Sequence, residues 1–539
     1  MMSSRPAGKE TSQKVELRAL DEDLHKLEFG SDPAKKSATA YDLRDMNALG
    51  LVPTFRRRFN SLAMLGFSST VVVAWQTTLA TFSFALFNGG TGGLFLALTF
   101  VYLSLAELSS SRAIPVQVTS VPYPFKIDPD NVPPSGVAEC APPSLRRLFS
   151  YCTGWLCTLA WTTFVAGCGV IVGNLIKYCI VLYYPDSVPF NSQWFPTLLA
   201  VGAIIAAALF NIFLASVFPL LEGIVLFVHL AGWAAVIVTL WVASPRANAR
   251  DVLLTFSNGG GWSSEGAATL IGVLTPLSAL CGYDSPVHMT ENARDASKTV
   301  PLSLLTSFAC NGILAFTTVI TMIFCLGDQE EVLSNPLQTP FLIVFTNSTK
   351  SKGAAVALTV PIIVCFMSAL INEVATASWQ LWSFSRDGGV PLAAYLANVH
   401  DAEVPRRAVW TTVGMALALC FVNFGPAVGF NAIISLTNVA LLFSYLITIS
   451  SVIWRRLAGT PLPKERFSLG SAGLSINILA WLCIAPLTAL SVFPSVVHPT
   501  PALMNWAIVL FSGVIFFAGG YYAVSGRKRF DPPMRKEGF

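Results

Sequence analysis

Long apolar stretches separated by short polar or basic intervals are the dominant pattern along this chain. Crossing a hydrocarbon core of about 30 Å as a helix takes roughly 20 apolar residues, and about twelve stretches qualify. They fall near residues 61–87, 93–113, 147–183, 195–216, 218–243, 266–290, 300–326, 353–384, 406–424, 428–457, 472–494 and 503–525. The third is long enough to tilt or to project beyond the bilayer. Residues 1–58 are polar and mixed in charge, with no apolar core of a signal peptide, and read as an N-terminal tail. Residues 59–526 then form one transmembrane domain, and 527–539 a second tail.

Composition sharpens this reading. Only 12% of the 539 residues are Asp, Glu, Lys or Arg, about half the soluble average, so a water-soluble globule, a disordered chain and a nucleic-acid-binding protein are all disfavoured. A mean hydropathy of +0.61 makes lipid the expected solvent. The formal charge of +4 is too balanced to imply an anionic partner, but its distribution is informative. With the N-terminus inside, the inner loops collect Arg56, Arg57, Arg58, Arg146, Arg147, Arg406, Arg407, Arg455 and Arg456, among others, while the outer loops keep few basic residues, such as Lys177 and Arg246. Both termini are therefore expected in the cytoplasm. Plasma membrane is the expected location, with a vacuolar or other endomembrane as the alternative. Asn347-Ser348-Thr349, the one glycosylation sequon, falls in an expected outer loop. Of the 11 cysteines all but Cys140 lie in apolar runs, and no Cys/His cluster has metal spacing, so they read as small buried hydrophobes and no metal or cofactor is expected.

Two stretches carry helix-breaking chemistry. The first contains Gly66-Phe67-Ser68-Ser69-Thr70, and the sixth Cys281-Gly282-Tyr283-Asp284-Ser285-Pro286. Backbone released from a helix in lipid must line a cavity or be buried in protein, because each unsatisfied group costs several kcal/mol. The breaks are five stretches apart, as two five-helix units of opposite topology would place them: about 61–243 and about 266–457, with 472–525 as two added helices. Half-helix N-termini favour an anion and freed carbonyls a cation, which suits a zwitterion or a small cation with a polar tail. The alternative is that each break is only a kink filled by a neighbour.

The block Gly282-Tyr283-Asp284-Ser285-Pro286-Val287-His288-Met289-Thr290-Glu291, continuing through Ala296 to Pro301, resembles a signature of the amino acid–polyamine–organocation permeases, in particular their fungal amino-acid, GABA and choline permease branch. Leu105-Ala106-Glu107-Leu108, Ala141-Pro142-Pro143-Ser144, Tyr151-Cys152-Thr153-Gly154-Trp155 and Phe384-Ser385-Arg386-Asp387-Gly388-Gly389-Val390-Pro391 agree, so the resemblance spans about residues 50–530. It implies an all-α, five-plus-five inverted-repeat (LeuT-like) secondary transporter. Its substrate would sit between spans one, three, six and eight, any carboxylate being held at the first break. Carried onto this chain, the site is Gly66, Phe67, Ser68, Ser69, Thr70, Cys281, Gly282, Tyr283 and Asp284, with Trp161, Asn372 and a capping Trp75 as weaker candidates. The implied substrates are an amino acid, GABA, choline or a polyamine, with a proton as coupling ion and lipid as surroundings.

Charges inside spans are costly and each is a functional candidate. Glu222 and His229 lie seven apart, two turns along one helical face, and such a pair suits proton shuttling. A solvated end position for Glu222 and a packing role for His229 are the bland alternatives. Glu373 is a further intramembrane acid, and Glu107 beside Arg112 reads as a gate or ion pair. Channel, membrane-enzyme and non-transporting nutrient-sensor readings compete. A channel needs a continuous polar stripe, and an enzyme needs a nucleophile with a base or a metal cluster, which five scattered histidines do not provide. A sensor on the same fold stays open.

Two departures from the family pattern stand out. Trp379 follows Ala375-Thr376-Ala377-Ser378 where relatives carry Arg, and a glycine-rich element that should precede the third stretch is missing. In its place Val116 to Val137 carries Pro122, Pro124, Pro129, Pro133 and Pro134, which predicts an irregular loop. The segment reads either as translated intron or as a lineage-specific loop. Sequencing the mature transcript across codons 110–145 is expected to show a message lacking the codons for 116–137; uninterrupted coverage establishes the loop instead.

Overall fold

The computed structural model describes residues 57–110, 140–192, 194–334, 340–399, 404–421, 428–459, 472–501 and 503–530, together with Thr39 and Val137. The N-terminal tail, nearly all of the proline-rich interval and residues 531–539 lie outside the described residues, as does the side chain of Glu107.

Among the described residues all twelve apolar stretches are helical, and nine of these helices are long and apolar enough to cross a membrane. Span one is Ser61–Phe87, span two Gly90–Ser110, span three Arg146–Val181, span four Trp194–Phe213 and span five Phe218–Ala243. Span six runs Glu265–Leu280 and resumes as Ser285–His288; span seven is Ala296–Phe324 and span eight Lys352–Arg386. Spans nine to twelve are Arg406–Phe421, Val428–Leu457, Gly473–Leu490 and Ala507–Tyr521. Span three has 36 residues, hence about 54 Å of rise, and passes through the middle of the bundle against spans four, eight, nine and ten. The outer faces carry bare apolar side chains: Phe227 is 72% exposed, Val242 81% and Phe516 80%, a surface suited to lipid rather than water.

The break in span one is not where the hydroxyl cluster pointed. Gly66 to Thr70 are helical within Ser61–Val72, and the interruption is the single residue Val73, with φ 38° and ψ 47°, before the helix resumes at Ala74. Ser68 returns to its own helix, its Oγ donating to Met64 O at 2.8 Å, whereas Thr70 Oγ1 reaches out to Glu222 of span five. Gly66 serves close packing instead: a Cβ there would lie 3.1 Å from the Glu222 carbonyl oxygen of span five. A β-branched residue in the left-handed region costs roughly 1–2 kcal/mol. Asn311 of span seven bridges the opening, its Oδ1 accepting from Ala74 N at 3.4 Å and its Nδ2 donating to Ser69 O at 3.3 Å.

Span six breaks where expected. Leu280 ends the helix, Cys281 is extended, and Gly282 has φ +87°. A Cβ on Gly282 would also lie 3.2 Å from the Phe164 ring, so glycine is required twice over. Beyond this break the chain runs beside the start of span one: Phe59 N donates to Asn292 O at 3.0 Å and Arg294 N to Phe59 O at 2.9 Å, while the Arg57 guanidinium donates to Ala293 O. Asn347 lies on the helix Pro340–Thr349 between spans seven and eight, exposed, rather than in a loop; the apolar run that begins at Pro340 favours helix through the sequon.

Replacing Asn311 with Ala orphans the Ser69 carbonyl and the Ala74 N–H, at about 1–3 kcal/mol for each buried group. The expected outcome is a lower melting temperature in detergent, with Asn311→Asp, which keeps the acceptor, falling between Ala and wild type.

Candidate functional site

Between the span-one break, the part of span six that precedes its own break, and spans three, eight and ten there is a partly open cavity of about 40 Å³, and none of Cys281 to Asp284 lines it. Val71, Val72 and Val73 bring the span-one break to its wall, and Thr77 follows on the second half of that span. Span three contributes Phe164, Gly167, Cys168 and Ile171; span six Ser278; span eight Phe366 and Glu373. Span ten, which the sequence reading did not include, adds Ile434, Thr437 and Asn438. One water needs about 10–15 Å³ of such space, so the cavity holds roughly three waters and these walls must part to admit an amino acid.

Polar atoms are concentrated in two places. On the span-ten side Asn438 Nδ2 donates to Ser278 Oγ at 2.8 Å, and Thr437 Oγ1 to Thr163 Oγ1 at 2.8 Å. On span eight Glu373 is 3% exposed and its Oε2 has no hydrogen-bond partner; Cys168 is the adjacent polar side chain.

Three candidates meet behind the cavity. Thr70 Oγ1 donates to Glu222 Oε2 at 2.5 Å and accepts from Asn372 Nδ2 at 2.9 Å, which ties spans one, five and eight through one triad. Glu222 is fully buried, which excludes a solvated end position. Two turns along the same faces Gln76 Nε2 donates to His229 Nδ1 at 3.0 Å. Glu222 and His229 thus belong to separate nodes and do not bond each other.

The span-six break is held from both sides. Tyr445 Oη on span ten donates to Asp284 Oδ1 at 2.9 Å, and Trp161 Nε1 on span three donates to His288 Nε2 at 3.0 Å. Asp284 Oδ2 lies 3.4 Å from the same ring nitrogen, so Trp161 and Asp284 converge on His288 Nε2. Tyr283 packs on Phe308 and Tyr445, with centroids 5.4 and 6.0 Å away. Cys281 is buried and lines no part of the cavity. Phe67 packs against Phe59 and Phe218, and Trp75 against His229 and Gly232; neither reaches the cavity wall. Asn311, Tyr445, Asn438 and Cys168 were not foreseen: single amide, hydroxyl and thiol groups on otherwise apolar helices carry no spacing signal.

A multi-pass helical bundle folded around a cavity at two discontinuous helices is the architecture of a membrane transporter. The Amino acid permease family matches residues 59–514, and the chain belongs to that family. A Macrophomina phaseolina protein described as an amino acid/polyamine transporter is 28% identical over 82% of this chain and 96% of its own length. Amino-acid permease BAT1 of Arabidopsis thaliana is 24% identical over 91% and 95% respectively. Amino-acid permease 2 of Neurospora crassa is 23% identical over 94% and 91%. Among solved structures, a single-site mutant of the Eremococcus coleocola manganese transporter superposes with a TM-score of 0.50 at 12% identity, covering 87% of this chain and 96% of that one, which establishes the shared fold. The chain is a transporter, not an enzyme, on the LeuT-like five-plus-five plan with two added helices.

Asp284→Ala strands the Tyr445 hydroxyl and is expected to destabilise by about 1–3 kcal/mol. Ser68→Ala removes only a bond to its own helix and is expected to stay within about 1 kcal/mol. Thermal unfolding of the two purified variants side by side reads the difference.

Proposed function

We propose that this chain is a secondary active transporter, a proton symporter that imports a small amine-bearing metabolite such as an amino acid, GABA, choline or a polyamine by alternating access. The observation that carries the reading is the small, partly open cavity at the span-one break, reached from span six by Ser278, apolar over most of its wall and polar at Glu373 and at Asn438 with Thr437. Its small volume means that entry and exit of a cargo require the surrounding helices to move. The amino acid/polyamine description of the Macrophomina relative agrees with an amine cargo.

Glu222 is the proposed proton carrier. It is fully buried, bonded only through Thr70 and Asn372, and its Oε1 has no partner, so a change in its protonation acts directly on the contact between spans one, five and eight. The basic-residue pattern supports cytoplasmic termini. In this reading residues 61–243 and 266–457 are the two repeats and 472–525 the added pair.

The test is uptake into cells and proteoliposomes of radiolabelled GABA, choline, putrescine and a set of amino acids, with and without a proton uncoupler. Saturable uptake of at least one probe, reduced at least tenfold by the uncoupler, is expected; uptake of none overturns the transport reading. Glu222→Gln keeps the side-chain shape and is expected to abolish gradient-driven accumulation while counterflow exchange of that probe persists. Accumulation unchanged in Glu222→Gln removes Glu222 as the carrier.

A further inference from the structure

Glu373 stands apart from the other buried acids. Glu222 and Asp284 each accept a side-chain hydrogen bond, at 2.5 Å from Thr70 and 2.9 Å from Tyr445; Glu222 also leaves its Oε1 unpartnered, and what separates both acids from Glu373 is that neither lines the cavity. Glu373 faces the cavity, and its Oε2 is unpartnered while the residue is 3% exposed. A buried carboxylate with one oxygen unmet and only the Cys168 thiol beside it is costly, whereas a cation delivered to it by a ligand removes that cost and gains a charge-assisted hydrogen bond. No Lys, Arg or His is among the residues of the cavity wall, so the partner must come from outside the chain.

The wall also sets what the rest of the ligand looks like. Val72, Ile171, Phe366 and Ile434 give an aliphatic and aromatic girdle. Glu373 sits on span eight and Asn438 with Thr437 on span ten, two helices that each pack on span three. The acid and the amide–hydroxyl group are therefore separate polar poles of one small chamber.

We propose that Glu373 is the ammonium-binding residue of the substrate site, selecting a short, largely aliphatic cargo with a protonated amine at one end and a hydrogen-bonding head at the other. This rests on the transport reading above and assigns Glu373 to cargo recognition rather than to coupling.

The test uses carbodiimide labelling of the purified full-length wild type, mapped by mass spectrometry at Glu373, in millimolar 4-aminobutyrate, putrescine or alanine, with butyrate as the acid lacking an amine. Every Glu373 adduct counts as label, the amide to the added amine included, and exposed Glu330 is the reference for consumed reagent. Protection of Glu373 at least fivefold by an amine and not by butyrate is expected. No protection by any amine, or equal protection by butyrate, overturns the assignment. Because this readout needs no transport, amine protection without uptake breaks the transport reading and leaves the site standing, whereas uptake without protection does the reverse. Glu373→Gln is expected to raise KM for the protecting amine at least tenfold with the maximal rate within about threefold, and Glu373→Asp to recover part of the affinity. Lower protein yield with KM unchanged assigns Glu373 to packing alone and overturns the proposal; if Glu373→Gln does not fold, the labelling result decides.

Discussion

A peptide group without a partner in hydrocarbon costs several kcal/mol, and the bundle is arranged around the two places where this chain leaves helical geometry. They are handled differently. Span one departs at one residue, Val73, and a single amide from span seven reaches across it. Span six opens over Cys281 to Asp284, around a glycine at φ +87°, and is held by side chains from spans three and ten. The two are also joined to each other, since the residues before span one exchange backbone bonds with those after the span-six break. Any displacement of one broken helix therefore acts on the other, and through Thr70, Glu222 and Asn372 on spans five and eight.

The architecture was legible in the sequence because lipid enforces it: twelve apolar stretches of spanning length, and twelve helices at those positions. The span-six break was legible for the same reason, as Gly282, Asp284 and Pro286 together cannot continue a helix in hydrocarbon. The span-one break was not. Gly66 and the three hydroxyl residues look like weak helix, yet they stay helical: glycine lets span five approach, Ser68 bonds one turn back, and Thr70 reaches Glu222 on span five. Val73 is among the residue types least suited to a left-handed conformation, so nothing local announces it. The break there is imposed by packing from a distance, with Asn311 some 240 positions along the chain supplying the missing partners.

The same division runs through the site. Thr70, Glu222 and Asn372 were each singled out as polar groups at membrane depth, and they meet. Which of them bond one another was not readable, because spacing along one helix reports a shared face and not the helix that covers it. Glu222 and His229 share a face of span five, yet one bonds Thr70 and the other Gln76, on either side of the Val73 interruption. Span ten escaped notice because its cavity residues, Ile434, Thr437 and Asn438, are ordinary in an apolar helix.

Two buried carboxyl groups on adjacent helices invite a single role, but their surroundings separate them. Glu222 sits in a triad whose members belong to three spans, so its charge state alters how helices hold each other whether or not the cavity is filled. Glu373 touches the cavity and leaves one oxygen unmet, so its energy depends on what occupies that space and little on the triad. Asn372 and Glu373 are consecutive, which places the two functions on neighbouring faces of one turn of span eight. A cargo that draws Glu373 toward the cavity rotates or strains the same turn that presents Asn372 to Thr70. In the proposed reading this is a mechanical route by which cargo and proton sense each other without sharing a binding group.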